Sequence, residues 1–134
     1  MASILVLDDS PMIRDLVKTI LESEGYAVFV AGTYDEAMAL QESEHIDLAV
    51  VDLVMPDHDG LDATEGLRKK DPLIPVLMLT AYADCLNSPE AKVDRKLSPN
   101  LVLRKPVQFD VLLEKVSELL EKAKLKREKL NPVD

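Results

Sequence analysis

The sequence predicts an α/β domain with one parallel sheet that is covered by helices on both faces. Short runs of consecutive apolar residues alternate with stretches of helical apolar spacing along the chain. Uninterrupted apolar runs of this length are typical of strands buried on both faces. A repeated strand–helix order with right-handed crossovers gives a single parallel sheet. The chain has 134 residues, with no internal repeat or linker, so we expect one domain.

Turn and capping residues separate the predicted elements. Ser10-Pro11 is typical of a helix start, and Thr33 with Glu36 three residues later forms a capping-box pattern. Asp71-Pro72 is expected to end the third helix. The predicted elements in chain order are strands at 4–7, 27–31, 48–51, 76–79 and 101–103, and helices at about 11–24, 34–42, 61–70 and 108–129. Residues 83–100 have poor apolar spacing, although Ser88-Pro89 could start a short helix there.

Composition limits the classes of function. The formal net charge of −9 disfavours direct binding to nucleic acid, because phosphates would be repelled. No apolar run is long enough for a membrane span, and the acidic start does not resemble a secretory signal. Cys85 is the single cysteine, which fits a reducing compartment. We therefore expect a cytoplasmic location.

Polar residues follow four of the five predicted strands: Asp8 and Asp9 after the first, Asp52 after the third, Thr80 after the fourth and Lys105 after the fifth. Ligands of open α/β sheets bind at this edge, and we expect Asp52 to be half held by the core and half exposed to solvent. Clustered carboxylates favour a cation, and Mg²⁺ prefers such oxygen ligands. A carboxylate can also attack phosphorus to give an aspartyl-phosphate.

Each of these residues also has an ordinary structural interpretation. Asp8 with Asp9 could cap the first helix, and Asp52 could cap a turn. Thr80 could be a β-branched strand end, and Lys105 a solvated surface lysine. Because all of them fall at the matching strand ends, the set favours a functional site over separate coincidences.

These motifs resemble the receiver domain of response regulators in two-component phosphorelay signalling. The resemblance covers residues 3–120, and its motifs are Asp8-Asp9, Asp52 followed by Met55-Pro56 and Asp59-Gly60, Thr80-Ala81 and Lys105-Pro106. It implies a flavodoxin-like (βα)5 doubly wound fold with the strand order 2-1-3-4-5. It also implies a signalling switch rather than a turnover enzyme.

The resemblance implies a role for each site residue. Asp52 accepts a phosphoryl group from a phosphohistidine of a histidine kinase or phosphotransfer protein, and the phosphorylated domain acts on an output protein or domain. Asp9, Asp52 and the backbone carbonyl of Val54 are implied to ligate Mg²⁺, with Asp8 contributing through the water shell of the metal. Lys105 pairs with the phosphoryl oxygens, and the Thr80 hydroxyl donates to one of them.

The resemblance also implies a cis peptide bond before Pro106. Two features depart from the family pattern. Val102 stands where receivers commonly carry an aromatic switch residue, and Val54 and Tyr82 place no carboxylate or amide beside the phosphoryl group. We therefore expect slow self-dephosphorylation. A phosphorylation-independent interaction module of the same fold is the alternative function.

The last predicted helix is longer than one domain needs. We assign residues 1–121 to the receiver domain and 122–134 to an extension of the last helix and a tail, in either a stand-alone receiver or part of a larger protein. Packing of this helix on the sheet is favoured over a dimerising coil, although a homodimer stays possible. The apolar stripe concerned is Leu112, Val116, Leu119 and Ala123. Phe109 is also expected to pack in the core.

Overall fold

The computed structural model describes residues 2–55, 59–80, 100–106 and 108–130, and these form five strands and four helices. The strands are β1 (Ser3–Leu7), β2 (Ala27–Ala31), β3 (Leu48–Asp52), β4 (Val76–Thr80) and β5 (Leu101–Arg104). The helices are α1 (Pro11–Ser23), α2 (Tyr34–Ser43), α3 (Gly60–Lys70) and α4 (Phe109–Leu130). The short helix predicted near Ser88 lies outside the described residues, as do Tyr82 and Cys85.

All five strands are parallel, and their order is β2-β1-β3-β4-β5. Every residue of β3 and of β4 is buried, because helices cover both faces of the sheet. The flavodoxin-like order that the resemblance implied is therefore confirmed. The reversal of strand order lies between β1 and β3, where ligands bind in folds of this kind.

Local side-chain caps set the helix starts. The Ser10 side chain accepts a hydrogen bond from the backbone N–H of Ile13, and the Thr33 side chain accepts one from Glu36. The start of α3 at Gly60 is one residue earlier than expected. Asp59 and Asp62 form a capping box there, which fixes the chain shortly after β3.

The core consists of two layers, one on each face of the sheet. Alternate residues of β1 enter different layers, since Ile4 faces one and Leu5 faces the other. Helices α1 and α4 cover the first layer, whereas α2 and α3 cover the second.

The apolar stripe of α4 packs against the sheet, which confirms the favoured prediction for this helix. Leu112 and Val116 are fully buried, and Ala123 is 9% exposed. Near the helix end, Arg127 donates to the Asp71 carboxylate at 2.6 Å. The prediction for Phe109 is wrong, because 53% of it is exposed: it lies at the start of α4, before the first buried residue of that helix.

None of the helices in the described parts of the chain combines the length and the apolar composition that crossing a membrane requires.

Gly60 lies where α3 starts against the end of β3, and we expect Gly60→Ala to destabilise the fold. An added Cβ would lie 2.7 Å from the Asp52 carbonyl oxygen and 2.9 Å from Leu53 Cα, both of which are backbone atoms that have little room to move. Overpacking of this kind costs about 1–3 kcal/mol. The free energy of unfolding in urea measures it.

Gly66→Ala, in the same helix, is the matched control. Its Cβ would meet the flexible ends of the Tyr34 and Met38 side chains, which can move aside, and alanine favours the helix interior by about 1 kcal/mol over glycine. A loss of stability at Gly66 equal to that at Gly60 would contradict the interpretation.

Candidate functional site

The carboxyl edge of the sheet collects the predicted site residues. Asp52 is the last residue of β3 and Thr80 the last of β4, while Asp8 and Lys105 directly follow β1 and β5. The parallel register places Asp52 beside Leu79, one residue before Thr80. Since parallel strands end at a common edge, residues far apart in sequence meet there.

Three carboxylates form one cluster at this edge. Asp8, Asp9 and Asp52 each offer an oxygen, and these oxygens lie within 4.8 Å of one another. Asp8 is 2% exposed and Asp9 is exposed, so the cluster opens to solvent on the Asp9 side. Opposite ligands of an octahedral Mg²⁺ ion are about 4.1 Å apart. The spacing of the three carboxylates is therefore compatible with a divalent cation of this size.

Asp52 is more buried than the sequence suggested. We expected it to be half exposed, whereas 6% of the residue is accessible. The buried strands on either side, β1 and β4, and the adjacent start of α3 account for the difference. The backbone N–H of Val54 hydrogen-bonds to the Asp52 carboxylate, while the Val54 side chain is 50% exposed.

Lys105 joins two of the carboxylates. Its Nζ lies 3.1 Å from Asp8 Oδ2 and 3.2 Å from Asp52 Oδ1. Its backbone N–H donates to the Thr80 carbonyl at 2.9 Å, and the following peptide bond to Pro106 is cis, as the resemblance implied. The ammonium thus supplies the positive charge that two buried carboxylates need.

Burial and neighbouring charges act on the pKa values of both Asp52 and Lys105. Burial, and then the charge of Asp8, raises the pKa of Asp52 above 3.8, although Lys105 and the Val54 N–H partly offset this rise. Burial acts to lower the pKa of Lys105, but its hydrogen bonds and ion pairs with Asp8 and Asp52 together raise it above its ordinary value. Asp52 is therefore a desolvated, more basic carboxylate, and Lys105 keeps its proton.

The structure brings Asp8, Asp9, Asp52 and Lys105 together as predicted. Thr80 lies at the neighbouring strand end and is completely buried, so its hydroxyl is enclosed by the fold in this state.

Sequence reasoning missed Arg14, whose guanidinium donates to the Asp8 carbonyl at 3.0 Å. The signal in the sequence was a basic residue one turn into the helix that follows the two acids.

We expect the ionisation of Asp52 to lower stability as the pH rises. Its pKa is higher in the folded than in the unfolded protein, so the native state binds the proton more tightly between pH 3.8 and the raised value. Asp52→Asn removes the ionising group and therefore the loss of stability that its ionisation causes. The free energy of unfolding of the variant minus that of the wild type should increase upward from pH 3.8 and then level off.

Urea denaturation at a series of pH values up to 8, in EDTA, measures this difference. The raised pKa of Lys105 contributes stability that is present below 10.5 and is lost only above that range. Asp15→Asn, on the exposed face of α1, is the control for the same chemical change at a surface position. A difference for Asp52→Asn that falls with pH would contradict the assignment.

Comparison with known proteins agrees with this geometry. Residues 4–117 match the family described as response regulator receiver domain. The transcriptional regulatory protein GlrR of Escherichia coli strain K12 is 32% identical over 122 residues, which cover 91% of this chain and 27% of that protein. The chain spans between 10% and 51% of the length of the curated relatives compared with it.

Two solved structures show the same fold. A CheY-like response regulator receiver domain protein from Methanospirillum hungatei JF-1 has a TM-score of 0.84 and 35% identity, covering 94% of this chain and 98% of that one. The response regulator TrrA from Thermotoga maritima, in complex with Mg²⁺-BeF, has a TM-score of 0.74 and 34% identity, covering 89% and 99%. This chain belongs to the response regulator receiver domain family.

Proposed function

We propose that this chain is the phosphoacceptor receiver of a two-component system, in which Asp52 takes a phosphoryl group from a phosphohistidine donor with Mg²⁺ bound. The observation that carries the proposal is the cluster of three carboxylates, within 4.8 Å of one another, beside the ammonium of Lys105. The receiver family is a family of signalling switches, and response regulators interact with histidine kinases and output domains. On this proposal the chain changes its binding to an output partner and turns over no separate substrate.

Asp52 is the proposed nucleophile. One of its carboxylate oxygens attacks the phosphorus of the phosphohistidine, the phosphorus–nitrogen bond breaks, and the imidazole leaves with the electron pair and takes up a proton. Burial supports this role, because a desolvated carboxylate of raised pKa is a stronger nucleophile than one in water. The transfer otherwise depends on positioning and on neutralising the phosphoryl oxygens.

The proposed ligands of Mg²⁺ are the carboxylates of Asp9 and Asp52 and the carbonyl of Val54, with Asp8 contributing through the water shell. When bound, the ion neutralises charge on the transferred group. The spacing of the three acids and the exposure of Asp9 support this assignment. The complex of the Thermotoga maritima relative with Mg²⁺-BeF supports it as well.

Lys105 and Thr80 are the proposed contacts of the phosphoryl oxygens. Lys105 now contacts Asp52 Oδ1 at 3.2 Å, and a phosphoryl group at that carboxylate gives the ammonium a new anionic partner. Thr80 is fully buried, so its hydroxyl has to move to reach the group. That movement is the proposed start of the change that an output partner reads.

The proposed receiver spans residues 1–121, and residues 122–134 comprise an extension of the last helix and a tail. The burial of Ala123 and the hydrogen bond from Arg127 to Asp71 support an extension that packs against the receiver domain. The proposed partners are a histidine kinase or phosphotransfer protein and an output protein or domain, in the cytoplasm, without direct contact with nucleic acid or membrane. Because the α4 stripe packs internally, a homodimer would need another surface.

Incubation with acetyl phosphate and Mg²⁺ tests the proposed function directly. We expect intact-mass analysis to show the mass of one added phosphoryl group, and no addition in Asp52→Asn, because that variant lacks the nucleophile. Omitting Mg²⁺ should also prevent the addition. Asp15→Asn keeps the site and is the matched control. An unmodified wild-type mass would favour the phosphorylation-independent interaction module.

Val54 should slow the loss of the phosphoryl group. Its exposed apolar side chain lies two residues past Asp52 and offers no group that orients an attacking water. We expect Val54→Asn to shorten the lifetime of the phosphorylated protein several-fold, measured as the decay of the modified mass after acetyl phosphate is removed. Val54→Ala, equally apolar, is the control. Equal lifetimes for valine and asparagine would contradict this role.

A further inference from the structure

Asp8 is held from four sides, twice through its backbone and twice through its carboxylate. Its N–H donates to the Ala31 carbonyl at 3.1 Å, and its own carbonyl accepts from Arg14 Nη1 at 3.0 Å. The carboxylate accepts from the backbone N–H of Ser10 at 2.9 Å and from Lys105 Nζ at 3.1 Å. Lys105 is the only one of these four partners with a role in the proposed transfer, and the Arg14 guanidinium is the other side chain among them.

The contact with Arg14 fixes more than Asp8 itself. The Asp8 carbonyl belongs to the peptide plane that joins Asp8 to Asp9, and that plane is rigid. Holding the carbonyl therefore also sets where the chain places Asp9. Asp9 is exposed, so its position depends on the backbone more than on packing.

Gly32 makes room for the guanidinium. A Cβ at this position would fall on Arg14 Nη1 and lie 3.3 Å from Arg14 Cζ. Gly32 has no positive φ, so a side chain here meets no backbone strain and instead requires the Arg14 guanidinium to move. Arg14 thus lies between the loop after β1 and the turn after β2, seated over a residue that has no side chain.

We propose that Arg14 is a positioning residue of the divalent-cation site: seated over Gly32, its guanidinium holds the peptide that joins Asp8 and Asp9, so that the two carboxylates face Asp52. The inference rests on the proposed function, since it concerns the affinity of that site for Mg²⁺. It adds two residues, Arg14 and Gly32, that touch neither the ion nor the phosphoryl group.

The direction of the effect separates positioning from charge. Removing a cation beside three carboxylates would, by charge alone, tighten the binding of Mg²⁺. Removing a group that positions the ligands would weaken it. Gly32→Ala keeps the arginine charge and displaces the guanidinium, so it isolates the positioning effect.

The experiment is a Mg²⁺ titration of the wild type, Arg14→Ala, Gly32→Ala and the double variant, followed by amide chemical shifts in NMR spectra. We expect each single variant to weaken Mg²⁺ binding by about tenfold, as is typical when a group that supports metal ligands is lost. The double variant should bind like Arg14→Ala alone, because Gly32 acts only through the arginine.

Gly66→Ala is the matched control, because its Cβ crowds Tyr34 and Met38 in the contact between α2 and α3 and leaves the acids untouched. It should bind Mg²⁺ like the wild type. The dispersion of the amide shifts before Mg²⁺ is added shows that each variant is folded, which separates weaker binding from unfolding.

Unchanged or tighter Mg²⁺ binding in either single variant would overturn the inference, and so would additive losses in the double variant. A wild type that binds Mg²⁺ while the variants match it would leave the proposed function standing. A wild type that binds no Mg²⁺ would overturn both.

Discussion

The contact of one lysine with two buried carboxylates is the interaction on which the rest of the site depends. Lys105 Nζ lies 3.1 Å from Asp8 and 3.2 Å from Asp52, and both acids are almost completely buried. Two carboxylates in such a place repel one another and lose hydration, which by itself disfavours ionisation. The ammonium offsets part of that cost, so the fold tolerates a buried carboxylate at the end of β3.

Backbone hydrogen bonds just beyond the strands fix the positions of the residues that make this contact. The loops after β1, β3 and β5 each make one further ladder-type hydrogen bond just beyond the strand. Asp8 donates to the Ala31 carbonyl at 3.1 Å, Leu53 to Leu79 at 2.9 Å and Lys105 to Thr80 at 2.9 Å. The rigidity of the sheet therefore continues by one residue into the loops, and the side chains meet at fixed distances.

Local patterns in the sequence predicted the parallel α/β class and most of the cluster, whereas the strand order was implied by the resemblance to receivers. Apolar runs define buried strands, and the common edge of a parallel sheet gathers whatever follows them, which here includes Asp52 and Lys105. The burial of Asp52 was not predictable, since it depends on where α3 starts against β3. The position of the Arg14 guanidinium next to Gly32 was also not predicted, because it depends on how two loops approach one another. Phe109 shows the same limit: its exposure depends on where the helix passes the sheet edge.

Charge explains why this edge suits a divalent cation. Asp8, Asp9 and Asp52 carry three formal negative charges against two positive ones, on Lys105 and on Arg14, which contacts the Asp8 carbonyl, so a net negative charge remains at one place. At the opposite edge of the sheet, by contrast, acids have resident partners, such as Asp71 with Arg127. A divalent ion would balance the carboxyl edge, and it would compete with Lys105 for Asp52. On the proposed function, that competition frees the ammonium to meet a phosphoryl group when it arrives.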